Sequence, residues 1–142
     1  MKYSHKLSDA IHILAYLIIY KNDDLSSKAI AASIEANASV VRNLMSDLRR
    51  AGLIKTQPGI ASTTLSVEPD QITILDVYQA INMDHNLLHI DPKTNPRCIV
   101  GGNIQDTLNM YYADIEATAF QRMKEITLQA ITDDILARQQ AK

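Results

Sequence analysis

Two sets of residues have types and spacings suited to chemistry. The first is Cys98, the single cysteine of the chain, with His85, His89, Asp91 and Arg97 close by in sequence. A thiol beside a guanidinium and near the positive end of a helix is drawn toward the thiolate, the form that reacts with oxidants and electrophiles. The same neighbourhood offers a metal site from His85, His89 and Cys98, since two histidines at i and i+4 share a helix face. The plain alternative is a small buried apolar cysteine with surface histidines. The second set is Ser39, Val40, Arg42, Asn43, Ser46, Arg49 and Arg50. Ser39 and Asn43 carry groups that hydrogen-bond to base edges, and Arg42 suits a guanine edge or a phosphate. Arg49, Arg50, Lys6, Lys55 and Thr56 suit the sugar–phosphate backbone. Here the plain alternative is the solvated face of an ordinary helix.

These residues need elements to hold them. Apolar residues at Leu7, Ile11, Leu14, Ala15 and Ile18 follow helical spacing, and Asn22, Asp23 and Asp24 end that helix. Ser26 or Ser27 can cap a short second helix through Ala29, Ile30, Ala32 and Ser33. After a turn at Glu35, Ala36 and Asn37, Asn37 caps a third helix with Val41, Leu44, Met45 and Leu48 on its buried stripe. The second set lies on the opposite side of this helix. Gly52 falls where a helix ends in a left-handed residue. Two β-prone runs, residues 53–56 and 63–67, flank a Gln57-Pro58-Gly59 turn and read as a hairpin. A fourth helix spans residues 73–81, with Ile74, Val77, Tyr78 and Ile81 inward. Residues 83–102 read as a loop.

From Asn103 the apolar positions Ile104, Leu108, Tyr111, Ile115, Ala119, Met123, Ile126 and Ala130 recur at steps of three and four. One helix from residue 103 to about 136 is expected, roughly 50 Å long at 1.5 Å per residue. A single domain of this size does not cover such a stripe. The stripe therefore predicts a second copy packed against Ile104, Leu108, Tyr111, Ile115, Ala119, Met123 and Ile126. Two shorter helices folded back on the core are the alternative.

Composition removes other classes. The chain has 142 residues, 46% hydrophobic and 21% charged, so it is built to fold. One cysteine cannot make an intrachain disulfide, which argues against a stapled secreted domain. The apolar run over residues 13–19 is far shorter than the roughly 20 residues of a membrane span. No small-residue cleavage site follows it, so a soluble cytoplasmic protein is expected. No phosphate loop, dinucleotide fingerprint, nucleophile elbow or H-E-x-x-H is present, so no enzyme is expected. Residues 1–67 carry eight Lys/Arg against five Asp/Glu, and residues 68–142 carry six against eleven. The net values, +3 and −5, suggest that one half meets an anion and the other does not.

Three helices followed by a hairpin make a winged helix-turn-helix, whose second motif helix fits a major groove. The expected fold is mainly α with a small β-hairpin: a winged-helix DNA-binding domain at 1–82, a sensor loop at 83–102 and a long dimerisation helix at 103–142. Four stretches resemble one family. They are residues 4–14, which open helix 1, Leu48-Arg49-Arg50-Ala51-Gly52-Leu53-Ile54, Ile72-Thr73-Ile74-Leu75-Asp76-Val77, and Asn95-Pro96-Arg97-Cys98-Ile99-Val100-Gly101-Gly102-Asn103-Ile104. In order and spacing they resemble the Rrf-two family of bacterial winged-helix transcription regulators. That family includes iron–sulphur-cluster regulators and the cysteine-metabolism repressor, and the last stretch resembles a cluster-free branch.

The resemblance implies a homodimeric regulator, a repressor, on a pseudo-palindromic DNA operator, with the loop after helix 4 as the effector site. Two departures matter. Cluster-binding members carry three cysteines in that loop, whereas this chain has only Cys98, so no cluster or other cofactor is expected. The family wing reads G-x-G-G, but here it is Gln57-Pro58-Gly59-Ile60-Ala61-Ser62. A winged-helix protein-interaction module with little DNA binding is the alternative that this wing and the modest +3 favour.

Overall fold

The computed structural model describes residues 4–56, 63–81 and 87–142; the hairpin tip and His85 lie outside them. Helix α1 spans Lys6–Ile19 and runs through the middle of the molecule, against α2 (Ser27–Ile34), α3 (Ala38–Arg50), α4 (Ile74–Ala80), the hairpin and α6 (Leu128–Gln140). Being covered from several sides, α1 buries Ala10, Ile13, Leu14, Ala15 and Leu17. Of its sequence-predicted stripe, Leu14 and Ala15 are buried, whereas Leu7, Ile11 and Ile18 are only partly buried at the margin of the core.

Local chemistry explains where the next elements start and stop. The Ser26 hydroxyl accepts the Ala29 N–H at 3.2 Å and caps α2. Glu35, left-handed at φ 59°, ends it. The Asn37 carboxamide accepts the Ser39 N–H at 2.8 Å and caps α3. Gly52, at φ 81°, closes α3, and the Leu53 N–H reaches the Leu48 carbonyl at 3.0 Å in a Schellman-type ending. The hairpin is short: β1 (Ile54–Thr56) pairs antiparallel with β2 (Thr63–Leu65), with Lys55 opposite Thr64. A 3₁₀ turn at Pro69–Gln71, absent from the sequence reading, leads to Thr73. Thr73 and Asp76 form a reciprocal capping box on α4.

The core unites Ile13, Leu14, Ile30, Val41, Leu48, Ile72, Val77, Ile81 and Leu128, all 1% exposed or less. The three-helix-plus-hairpin module expected from sequence is therefore present.

The C-terminal expectation needs correction. Residues 103–136 do not form one helix. Helix α5 spans Ile104–Glu125, the chain becomes extended at Ile126 (φ −105°, ψ 119°), and Thr127 caps α6 by accepting the Ala130 N–H. The cause is pairing with the strand-like entry to α4. The Ile74 N–H donates to the Ile126 carbonyl at 3.0 Å and the Leu128 N–H to the Ile72 carbonyl at 2.8 Å. Helix α6 then packs on α1 and the 3₁₀ turn, with Leu128 fully buried. Helix α6 thus packs on the N-terminal elements, while α5 packs on α4.

Candidate nucleic-acid interface

The buried stripe of α3 is Val41, Leu44, Met45 and Leu48, as the spacing predicts. Burying that side turns Ser39, Val40, Arg42, Asn43, Arg49 and Arg50 outward, all exposed, with Ser46 half-buried at the rim. Their chemistry is not equivalent. The Ser39 hydroxyl donates to the Asn37 carboxamide at 2.7 Å, which leaves its oxygen free as an acceptor. Arg50 pairs with Asp47 at 3.3 Å across i,i+3, an exposed contact worth at most about 1 kcal/mol. Val40 is 42% exposed, an apolar group of the size that packs on a thymine methyl.

Arg49 is held differently. Its Nε and Nη2 both donate to the Thr56 hydroxyl, at 3.2 and 3.0 Å, so helix and hairpin are joined at this point. Arg42, Arg49, Thr56 and Met45 line a groove of about 310 Å³ with Ser26 and Ser27, the N-cap and first residue of α2. Sequence reasoning treated these serines only as caps. The missed signal was the cap itself: the N-terminus of a helix offers free N–H groups and a positive dipole end to an anion. Beside it, Asp24 accepts the Ser26 N–H at 2.9 Å. That bond, then one with the Ser26 side chain, holds the Asp24 carboxyl below its ordinary range.

The structure separates Lys55 from Thr56. Successive strand residues face opposite ways. Lys55 lines another groove, of about 580 Å³, with Leu17, Lys21, Leu65 and Gln129. Lys6 is exposed in the first turn of α1.

Cys98 is exposed in a run of turns just before α5, which contradicts the buried alternative. Its thiol is drawn below the ordinary value by backbone hydrogen bonds, from Gly101 first and Val100 second. These are the groups responsible, in place of the Arg97 guanidinium expected from sequence. The turns are tied internally: the Thr94 hydroxyl donates to the Gly101 carbonyl at 2.6 Å and the Gly102 N–H to the Cys98 carbonyl at 2.8 Å. Asn103 precedes α5, but its side chain does not cap the helix and donates instead to the Ile99 carbonyl at 2.8 Å.

Of the candidate metal ligands, only His89 and Cys98 fall within the described residues. His89 lies in an irregular segment, so the shared helix face is missing there, and His85 is outside the described residues. Among the described residues, no three His, Cys, Asp or Glu side chains converge on one point.

Of the residues expected at a second copy, Tyr111 and Ile115 are 57% and 53% exposed, and Ile104 and Leu108 half-buried. Ala119, Met123 and Ile126 are also half-buried. Each step of four residues rotates the stripe by about 40°, so its later part drifts to the side where Phe120 meets Tyr78 of α4, centroids 5.4 Å apart. The unclaimed surface is the first half, from Ile104 to Ile115.

Comparison with known proteins follows this geometry. The family model Rrf2, described as "Iron-dependent Transcriptional regulator", matches residues 3–134. YwnA of Bacillus subtilis (strain 168), named as an HTH-type transcriptional regulator, is 32% identical over 111 residues, covering 78% of this chain and 82% of YwnA. A crystal structure reported under the name of a DNA binding protein superposes with a TM-score of 0.70 at 28% identity, covering 89% of this chain and 97% of that one. CymR (YrzC), the global cysteine regulator of B. subtilis, shares the fold at TM-score 0.66 and 21% identity, over 94% of this chain and 97% of its own. The chain's single cysteine, Cys98, stands exposed.

Proposed function

This chain belongs to the Rrf2 family of DNA-binding transcriptional regulators, not enzymes, and from that premise we propose how it reads DNA. Helix α3 enters the major groove with Ser39, Val40, Arg42 and Asn43 toward the base edges. The groove between α2, α3 and the hairpin seats a phosphate, with Arg49 fixed by Thr56 and the start of α2 beside it. The observation that carries this reading is the paired donation of Arg49 to Thr56, because it locks recognition helix and wing into one unit. A preformed donor array loses little freedom on binding.

Two copies pack through the first half of α5, along Ile104, Leu108, Tyr111 and Ile115. The dimer sets two α3 helices about one helical turn, roughly 34 Å, apart on a pseudo-palindromic operator. The protein works without an iron–sulphur cluster, and oxidation or alkylation of Cys98 is the signal.

The test is titration of fluorescent promoter DNA at several salt concentrations. Specific binding whose log–log slope falls by about 0.9 per phosphate contacted supports the reading. A flat slope, or equal affinity for all sequences, overturns it.

A further inference from the structure

Glu116 lies in the middle of α5 and is 6% exposed, the one charged side chain among the buried described residues. A carboxylate in such a place is costly unless it is partnered. Its Oε2 accepts the backbone N–H of Leu87 at 2.6 Å, reaching from α5 to the start of the segment that carries Cys98. Its charge also acts on Tyr78 of α4: burial raises the Tyr78 pKa first, and Glu116 raises it further. Tyr78 is 7% exposed and meets Phe120, one turn beyond Glu116, in a tilted ring contact. Val77, next to Tyr78 in α4, and Ile81, the residue that ends it, sit in the same core as Leu48 of α3. The segment is tied to α5 again at its middle, where the Gln105 side chain donates to the Asp91 carbonyl at 2.9 Å. Gln105 is in the first turn of α5, at the edge of the turns, whereas Glu116 is the tie one turn before Phe120, which meets α4.

Packing does not require this carboxylate. Apolar side chains of similar volume often serve a buried position as well or better. What an apolar residue cannot do is hold a backbone N–H.

We infer that Glu116 is a positioning residue, a tether that holds the start of the 87–103 segment onto α5 and couples it, across Tyr78, to the helix that backs the recognition module. The inference does not rest on DNA binding. It says how a change in the Cys98 segment reaches α4, whatever α4 then controls.

The experiment is residue-resolved amide hydrogen exchange by NMR on the full chain, comparing wild type with Glu116→Leu and Glu116→Gln. In Glu116→Leu the Leu87 amide should exchange about tenfold faster or more, the loss expected for a bond to a charged acceptor. The amides of Val77 in α4 and of Ile81 at its C-cap should also speed up, by about threefold, while those of α2 stay unchanged. Glu116→Gln keeps a carbonyl acceptor, so its effect at Leu87 should be smaller but measurable, since charge-assisted bonds are about twice as strong as neutral ones. If Glu116→Leu does not fold, the Gln variant decides: faster exchange at Leu87 with an unchanged melting temperature supports the tether. Unchanged exchange at Leu87 overturns it. So does loosening at Leu87 with no change in α4, and so does a uniform rise in all amides, which marks a merely structural role.

Discussion

Thr73 and Thr127 face each other as an isolated antiparallel bridge, and each is the N-cap of its own helix. The bridge stitches the end of α5 to the start of α4. It therefore fixes the direction in which α5 leaves the winged-helix module, and with it the spacing that any second copy would impose on two α3 helices. Thr127→Ala removes the hydroxyl that accepts the Ala130 N–H at 3.1 Å. The expected cost is about 1 kcal/mol of stability, the usual value of a lost N-cap. Urea denaturation measures it, and an unchanged midpoint would show that the bridge alone sets the break.

At the DNA face, Arg42 and Arg49 should behave differently. Arg42 is exposed on the outward face of α3, so Arg42→Ala should relax sequence preference at one base pair and cost about 1–3 kcal/mol there. Arg49→Ala should weaken all sequences alike and reduce the salt slope by about one phosphate contact. Thr56→Val keeps the side-chain shape but removes the oxygen to which Arg49 donates. It should lower affinity in the same sequence-independent way. Fluorescence anisotropy on a panel of single-base operator variants separates the patterns. If Thr56→Val leaves affinity unchanged, Arg49 needs no support from the hairpin.

Much of this was legible in the sequence because the signals were local. Asn37 and Gly52 mark the two ends of α3 by side-chain capping and by a left-handed backbone, and both act within a few residues. The α3 stripe followed because that helix buries one side only. The reading failed where burial is not one-sided or a partner is remote. Helix α1 is covered from several directions, so its periodicity found Leu14 and Ala15 but otherwise pointed to the margin of the core. The break at Ile126 depends on Ile72 and Ile74, far away in sequence; the repeat of Ile-Thr before an aliphatic residue, at 72–74 and 126–128, was its only trace. At the site, alternation along β1 separates Lys55 from Thr56, a distinction that a list of polar residues does not contain. Glu116 gave no sign at all, since a lone acid on a helix reads as a solvated face.

The α5 stripe gives a third test. Tyr111 and Ile115 are exposed in the single chain, and burying an isoleucine is worth about 1.5–3 kcal/mol. Ile115→Lys places a charge there in each copy. It should convert a dimer into a 15.8 kDa monomer by light scattering, with helix content retained by circular dichroism. Met123→Lys should instead reduce stability, because Met123 is on the drifted part of the stripe. A wild-type monomer at working concentrations would remove the dimer from the account.

Alkaline pH should act through Tyr78. Its folded-state pKa is raised, by burial first and the Glu116 charge second, so folding favours the neutral phenol. The resulting stability is fully present below the ordinary tyrosine value of about 10 and is lost as pH rises through the higher folded value. Tyr78→Phe should flatten that alkaline decline. Melting curves between neutral and strongly alkaline pH measure it, and parallel declines in both proteins would assign the effect to other groups.

Cys98 provides the last test, because its thiolate is favoured by backbone geometry and not by a neighbouring cation. The N–H groups of Gly101 and Val100 lower its pKa. Its alkylation by iodoacetamide should therefore reach half-maximal rate at a lower pH than that of a cysteine in an unstructured peptide. The turn that aims those N–H groups requires a glycine: a Cβ on Gly101 would overlap the Asn95 carbonyl oxygen, a backbone atom that cannot swing aside. Gly101→Ala should move the alkylation profile back toward the ordinary value, whereas Arg97→Ala should leave it in place. Rates followed by mass spectrometry across pH distinguish the two. A profile shifted by Arg97→Ala and untouched by Gly101→Ala would return the activation to the guanidinium.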